Sequence, residues 1–218
     1  MDGIELCKHI KGDINTSHIP VILLTAKDSI QDKEEGYESG ADSYLTKPFS
    51  AKLLISRIHN ILESRKLLAS LITTHLEGRR MEQAATDNSS VATVSEAPLK
   101  LSKLDEDFLN RFKSIVEENI TNVDLDMTFV QNALNMSNST IYRKIKGLTG
   151  MSGNEFIRKI RLKHGYEFLC DGCNVTEAAY SCGFGDVKHF RNSFKDEYGV
   201  TPSQFIKDLK SKRSQNLN

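Results

Sequence analysis

Along the first sixty residues the apolar positions switch between helical spacing and short unbroken runs. Ile4, Leu6, Cys7 and Ile10 predict a helix over residues 4–11. IPVILLTA, residues 19–26 with Pro20 near its start, predicts a strand buried on both faces. Residues 28–39 are polar and charged, helical by composition, and close at Gly40. SYLTKPF then predicts a second strand. Leu53, Leu54, Ile58, Ile61 and Leu62 restore helical spacing over residues 50–62. Helix, strand, helix, strand, helix is the order of a parallel α/β sheet.

Two such strands need further neighbours at their edges and helices above and below. The stretch therefore reads as the second half of a domain, with the first half expected ahead of Met1. From Arg65 to Lys100 the pattern changes. KLLASLITTHL extends the helix, and EGRRMEQAATDNSSVATVSEAP is polar and aperiodic, the signature of a flexible linker.

Beyond the linker every periodic stretch is helical, and the pattern predicts a bundle of about six or seven short helices. Leu104, Phe108, Phe112, Ile115 and Val116 form an amphipathic stripe behind Ser102 and Asp105, which stand at capping spacing. Ser152 with Glu155, Asn174 with Glu177, and Thr201 with Gln204 repeat that spacing, the last with Pro202 at the first helical position.

Two stretches within the bundle share one layout. In NALNMSNSTIYRKIKGLTG a short helix carrying Phe129, Val130, Ala133 and Leu134 meets a polar turn and then a second helix. Ile141, Ile145 and Leu148 are its inward stripe. Ser139, Thr140, Arg143 and Lys144 are expected to point outward, with Tyr142 at the edge. VTEAAYSCGFGDVKHFRNSFKDEYGVTP does the same: Val175, Ala178, Ala179 and Cys182, a turn eased by Gly183 and Gly185, then an inward stripe of Val187, Phe190, Phe194 and Tyr198. Lys188, His189, Arg191, Asn192 and Lys195 are left outward. A helix-turn-helix needs this division, because one helix braces while the next presents donors to base edges and phosphates.

Charge supports the placement only when read by region. The whole chain is neutral, but from Ser137 onward 14 Lys and Arg stand against 8 Asp and Glu, a balance of +6, whereas residues 101–136 carry 3 against 7, or −4. No run of 18 apolar residues and no signal-peptide pattern is present, and four uneven cysteines, Cys7, Cys170, Cys173 and Cys182, suit a reducing cytoplasm. Cys170-Asp-Gly-Cys173, with Cys182, His164 and His189 elsewhere, is set aside as a zinc site, since Cys182 is expected inside a packed helix. Thr25 and Lys47 are set aside as a catalytic pair for want of a His or carboxylate partner. The reading is of a chain with no catalytic residue, metal or cofactor of its own.

SNSTIYRKIKGLTGMSGNEFIRKIRL and NVTEAAYSCGFGDVKHFRNSFKDEYGVTPSQF resemble the AraC-type transcription regulators across nearly all of residues 101–209. Ala178 and Gly185 depart from the usual residues there without removing a DNA-facing donor. The resemblance implies two helix-turn-helix units joined by one long helix, here about residues 154–169, which bind successive major grooves. It implies DNA contacts from Asn138, Ser139, Thr140, Tyr142, Arg143 and Lys144 in the first unit, and from Asp186, Lys188, His189, Arg191, Asn192 and Lys195 in the second. Tyr142 is open between core filling and a backbone contact, and His189 between a surface histidine and a base or phosphate contact.

The front resembles the receiver domains of two-component response regulators. MDGIELC looks like the segment after the phosphoacceptor loop, LLTAK like the strand with the switch hydroxyl at Thr25, and SYLTKPF like the last strand with Tyr44 and Lys47. Lys47 would then pair with an aspartyl phosphate that Thr25 also bonds. The phosphoacceptor Asp and the acidic metal pair are expected upstream of Met1, which makes the start a misplaced or alternative one, or a gene truncation.

The fold expectation is mixed: a partial α/β receiver, a fragment of a flavodoxin-like parallel sheet (residues 1–64), a helical extension and linker (65–100), an all-α double helix-turn-helix domain (101–210) and a tail (211–218). The function expected is a sequence-specific, DNA-binding transcription regulator of a two-component phosphorelay. Its partners would be double-stranded DNA, a second copy in a homodimer, RNA polymerase if it activates, and a histidine kinase only where the receiver is complete; no membrane is implied. Two rivals stand beside it: a fragment of a hybrid sensor histidine kinase whose catalytic part lies upstream, and an interaction fragment that uses the helices of residues 50–68 without DNA.

Overall fold

The computed structural model describes residues 1–26, 36, 38–76 and 101–215. They form two compact units. The first gathers Met1–His75, the segment ending at Asn110, and Ser139–Met151, and the second holds chiefly Arg111–Asn138 and Ser152–Asn218. Much of the helix expected over residues 28–39, the linker of residues 77–100 and the last three residues lie outside the described residues.

In the first unit α1 (Gly3–Gly12) starts where Asp2 accepts the Ile4 and Glu5 N–H groups, while Glu5 reaches back to the Asp2 N–H. This reciprocal cap satisfies donors that the first turn leaves unpaired. Strands β1 (Ile22–Thr25) and β2 (Ser43–Thr46) are parallel, in register from Ile22 opposite Ser43 to Thr25 opposite Thr46. Helix α2 (Ala51–Leu76) runs 26 residues without a break, so the expected helix and its extension are one element.

Asp42, just ahead of β2, ties these parts together. It accepts from Lys11 Nζ at 2.6 Å, the Val21 N–H at 2.8 Å and Arg65 Nη2 at 3.2 Å. Burial would raise its carboxyl, but the hydrogen bonds from Lys11 and Val21 and the charges of Lys11 and Arg65 outweigh burial and hold it below the usual carboxylate range. β2 is buried at Ser43, Tyr44 and Leu45, whereas Leu24 on β1 is 43% exposed. The expectation that β1 is buried on both faces is corrected: an unbroken apolar run does not decide how many faces are covered, and among the described residues β1 has β2 alone as a neighbouring strand.

Seven helices follow among the described residues: α3 (Lys103–Glu118), α4 (Met127–Leu134), α5 (Asn138–Thr149), α6 (Gly153–Cys170), α7 (Val175–Ser181), α8 (Val187–Tyr198) and α9 (Pro202–Gln215). Helix α9 runs through Gln215, past the boundary expected at residue 210. The fold is mixed as expected, a small parallel sheet with helices followed by an all-helical region.

A core cluster of the second unit joins α6, α7 and α8. Leu162 and Leu169 of α6, Ala178 and Ala179 of α7, Cys182, Phe184, and Phe190 and Phe194 of α8 are buried together. Phe194 and Tyr198 continue to Phe205 of α9 and Tyr166 of α6 through rings 4.5 to 5.8 Å apart. Small residues make the close approach between helices workable, since a Cβ on Gly165 would lie 2.7 Å from the Phe190 ring.

Candidate nucleic-acid interface

The two helix pairs expected from the sequence are both present as consecutive helices. Asp126 caps α4 by accepting the Phe129 N–H at 2.8 Å, and that bond helps hold its carboxyl below the usual range. Asn135 ends the helix in the left-handed region at φ 52°, and a three-residue turn leads into α5. In the second pair Asn174 and Glu177 cap α7 reciprocally. Gly183 turns the chain at φ 79°, and any Cβ there would stand 2.1 Å from the Ile120 carbonyl oxygen. Gly185 is different: it needs no left-handed backbone, and its missing side chain makes room for Val123.

On α8 the outward and inward sets separate as the periodicity requires. Lys188, His189, Arg191, Asn192 and Lys195 are exposed, and Phe190, Ser193 and Phe194 are buried. The exposed face thus carries amines, a guanidinium, an amide and an imidazole, groups able to donate to phosphate oxygens and base edges. His189 also sets its ring edge-on to Phe184 at 5.3 Å. Asp186 is the N-cap of α8, accepting the Lys188 and His189 N–H groups. Its carboxylate is committed to the helix it starts.

On α5 the expected face is revised. Asn138, Ser139, Tyr142 and Arg143 are exposed, Tyr142 at 54%, which removes the core-filling reading of that ring. Arg143 Nε donates to the Ser139 carbonyl at 3.3 Å, along the helix surface. Thr140 and Lys144, however, point inward: Thr140 is buried and Lys144 is 0% exposed. Lys144 Nζ donates to Asp105 Oδ1 at 2.5 Å and to Ser17 Oγ at 2.8 Å, over the Phe108 ring. The reason lies in the period. Ile141, Lys144, Ile145 and Leu148 stand at i, i+3, i+4 and i+7, one helical face, so Lys144 occupies a core position and needs an acid opposite it. That spacing was the signal for Lys144, whereas nothing in the spacing marked Asp105, 39 residues away, as its partner. Lys146 was missed too; it is exposed on α5, with its amine on the Gly150 carbonyl at 2.6 Å.

In the first unit Thr25 ends β1 and Lys47 follows β2, with the Lys47 N–H donating to the Thr25 carbonyl at 2.6 Å. Both therefore stand at the carboxyl ends of adjacent parallel strands, where α/β sheets commonly bind ligands. Tyr44 is buried, with its ring against Gly36. Among the described residues no group of three His, Cys, Asp or Glu is placed to hold a metal ion, and no helix is long and apolar enough to cross a membrane. Cys182 is sealed in the core, and burial pushes its thiol up to about 12.

Comparison with known proteins assigns families to these parts. Residues 130–208 match the helix-turn-helix domain family and residues 1–59 the response regulator receiver domain family. Histidine kinase P4 of Formosa agariphila is 40% identical over 206 residues, 94% of this chain but 14% of that protein. Heme response regulator HssR of Staphylococcus epidermidis is 49% identical over 69 residues, 32% of this chain and 30% of its own length. The chain thus spans less than a third of these curated relatives. The C-terminal domain of AraT, a response regulator from Geobacillus stearothermophilus, superposes with a TM-score of 0.43 at 27% identity, covering 46% of this chain and 84% of that one. Residues 1–59 thus carry response regulator receiver sequence, and residues 130–208, which begin within α4, take in α5 to α8 whole and end within α9, carry helix-turn-helix domain sequence.

Proposed function

We propose that the chain is a sequence-specific transcription regulator of a two-component system that places α5 and α8 in successive major grooves. One observation carries this reading: in each of two helix pairs, the exposed donors gather on one face of the second helix. The DNA-facing set is Asn138, Ser139, Tyr142 and Arg143 on α5, and Lys188, His189, Arg191, Asn192 and Lys195 on α8. Thr140 and Lys144 leave it, and Asp186 serves by capping α8. Arg143 and Arg191 are the leading candidates for base contacts, since a guanidinium matches the acceptor pair of guanine.

Selection from a random duplex library yields the site, and hydroxyl-radical footprinting on it should show two protected patches on one DNA face, about 10 bp apart. Arg143→Ala and Arg191→Ala should each weaken binding to that site by about 1 to 3 kcal/mol. Unchanged affinity in both variants would overturn their assignment. Thr25 and Lys47 belong to the receiver's answer to phosphorylation: a hydroxyl and an amine at two strand ends suit a phosphoryl group. Its proposed partners are a second copy of the chain, RNA polymerase if it activates, and a histidine kinase only where the receiver is complete, and the cytoplasm is its proposed compartment.

A second reading is favoured by the likeness to Histidine kinase P4, namely that the sequence corresponds to a stretch of a longer hybrid sensor kinase. The intact mass of the endogenous protein separates the two: 24.5 kDa supports a free regulator, and a much larger species supports the hybrid.

A further inference from the structure

We propose that Lys144 is a positioning residue that sets the rotation of the recognition helix α5, mated to Asp105 of α3 and held by Ser17 of the receiver segment. The inference rests on the proposed function. Lys144 has no exposed surface, and its amine meets Asp105 Oδ1 at 2.5 Å. Ser17 Oγ, itself buried, donates to the same carboxylate oxygen at 2.7 Å and accepts from Lys144 at 2.8 Å. Burial alone would raise the Asp105 carboxyl, but hydrogen bonds from Lys144, Ser17 and Ser102 bring it below the usual range, so the site holds an ion pair.

A buried ion pair is a weak source of net stability, because desolvation offsets most of the attraction. It is a strong source of register, because an ammonium and a carboxylate left unpaired in the core cost far more than a displaced apolar side chain. Rotating α5 about its axis would break the pair before it disturbed the aliphatic neighbours. The residues on either side of Lys144 in sequence turn with it. Arg143 and Tyr142 reach bases only at one rotation, and a misaimed guanidinium still finds phosphate. The pair therefore serves discrimination between DNA sequences more than affinity for DNA.

Ser17 brings the receiver segment into this joint. The turn that carries it is fixed from the receiver side, where Arg65 Nη1 donates to the His18 carbonyl at 2.7 Å and Lys11 Nζ to the Ile19 carbonyl at 2.9 Å. Arg65 and Lys11 are in turn anchored on Asp42. Polar contacts on either side of the backbone of residues 17–19 thus link the start of β2 to the inward face of α5.

The test measures binding of the full chain to the selected duplex and to a scrambled duplex of equal length, with a thermal melt of each variant. Wild type must favour the selected duplex; equal binding to both would overturn the proposed function itself. Given that preference, the apolar replacement Lys144→Met with Asp105→Leu should melt as a folded protein and lose roughly tenfold or more in the ratio of the two affinities, while scrambled-duplex binding stays within about twofold. Lys144→Arg, which keeps the charge, should retain most of the ratio. Ser17→Ala, which leaves the pair intact, should lower it by about twofold to fivefold, and this variant carries the test if the double replacement does not fold. An unchanged ratio in a folded double variant, or in Ser17→Ala where it must stand in, would overturn the inference.

Discussion

His18 shows how one side chain records what surrounds it. It is buried beside Lys144, its ring lies against Gly147, and its Nδ1 is buried with no hydrogen-bond partner among the described residues. Burial lowers its pKa below 6.5, and repulsion from Lys144, Arg65 and Arg143 adds to this, with Asp105 opposing. A histidine whose folded pKa lies below its unfolded value binds more protons when unfolded, so stability rises with pH across that interval and falls as pH drops below 6.5. Wild type should therefore lose melting temperature between about pH 7 and pH 5 more steeply than His18→Gln. Equal slopes in the two proteins would remove His18 as the cause. Asp42 and Asp105 have depressed values, so their contribution persists to lower pH and disappears only as pH falls below 3.8 toward their folded values. Cysteine chemistry divides on the same ground of burial. Alkylation of the folded chain should label Cys170 and Cys173, which are part-exposed, and spare Cys7 and Cys182 until denaturant is added.

At the scale of elements, the turn of the second pair is the least tolerant place in the chain. Gly183 combines a left-handed backbone with a carbonyl oxygen 2.1 Å from where a Cβ would sit, and that oxygen belongs to Ile120, a main-chain atom that cannot swing aside. Gly183→Ala should destabilise by about 2 to 4 kcal/mol, against less than about 1 kcal/mol for Gly185→Ala, whose neighbour is a valine methyl. Chemical denaturation of the two variants would decide it, and equal losses would show that the turn relaxes. Both glycines looked alike in the sequence, since composition marks a turn without saying which position needs positive φ. The capping boxes at Ser152 and Asn174 were legible from spacing alone, because a cap is a local interaction. Asp186 was legible as a residue of the site but not as the cap of α8, for a carboxylate ahead of a helix reads equally as either. Lys144 was misread because charge was weighed above period, although the Ile141, Ile145 and Leu148 stripe already contained its position.

For the whole molecule the sequence marked a receiver stretch, a linker and a helical bundle, and the compact units cut across that order. Residues 139–151, which carry the first recognition helix, cluster with Met1–His75, and α3 passes from one unit to the other after Asn110. Such sharing is invisible to periodicity, which registers local faces and says nothing about which distant residue completes them; Ser17 and Asp105 are 127 and 39 residues from Lys144. It has a consequence for stability. Helix α5 draws part of its burial from residues far upstream, among them Ser17 at Lys144 and the His18 ring at Gly147, whereas α7 and α8 bury Ala178, Ala179, Phe190 and Phe194 within the second unit. Opening free energies follow the local contacts that must be lost, so removal of residues 1–64 should raise amide hydrogen exchange in α5 and leave α8 close to its rate in the full chain. Exchange that rises equally in both helices would mean that the bundle is one cooperative body, and unchanged exchange in α5 would mean that α5 does not depend on the receiver segment for its burial. The contrast between the two recognition helices within one sample is what gives the measurement its force, because global destabilisation moves both and loss of a local partner moves one.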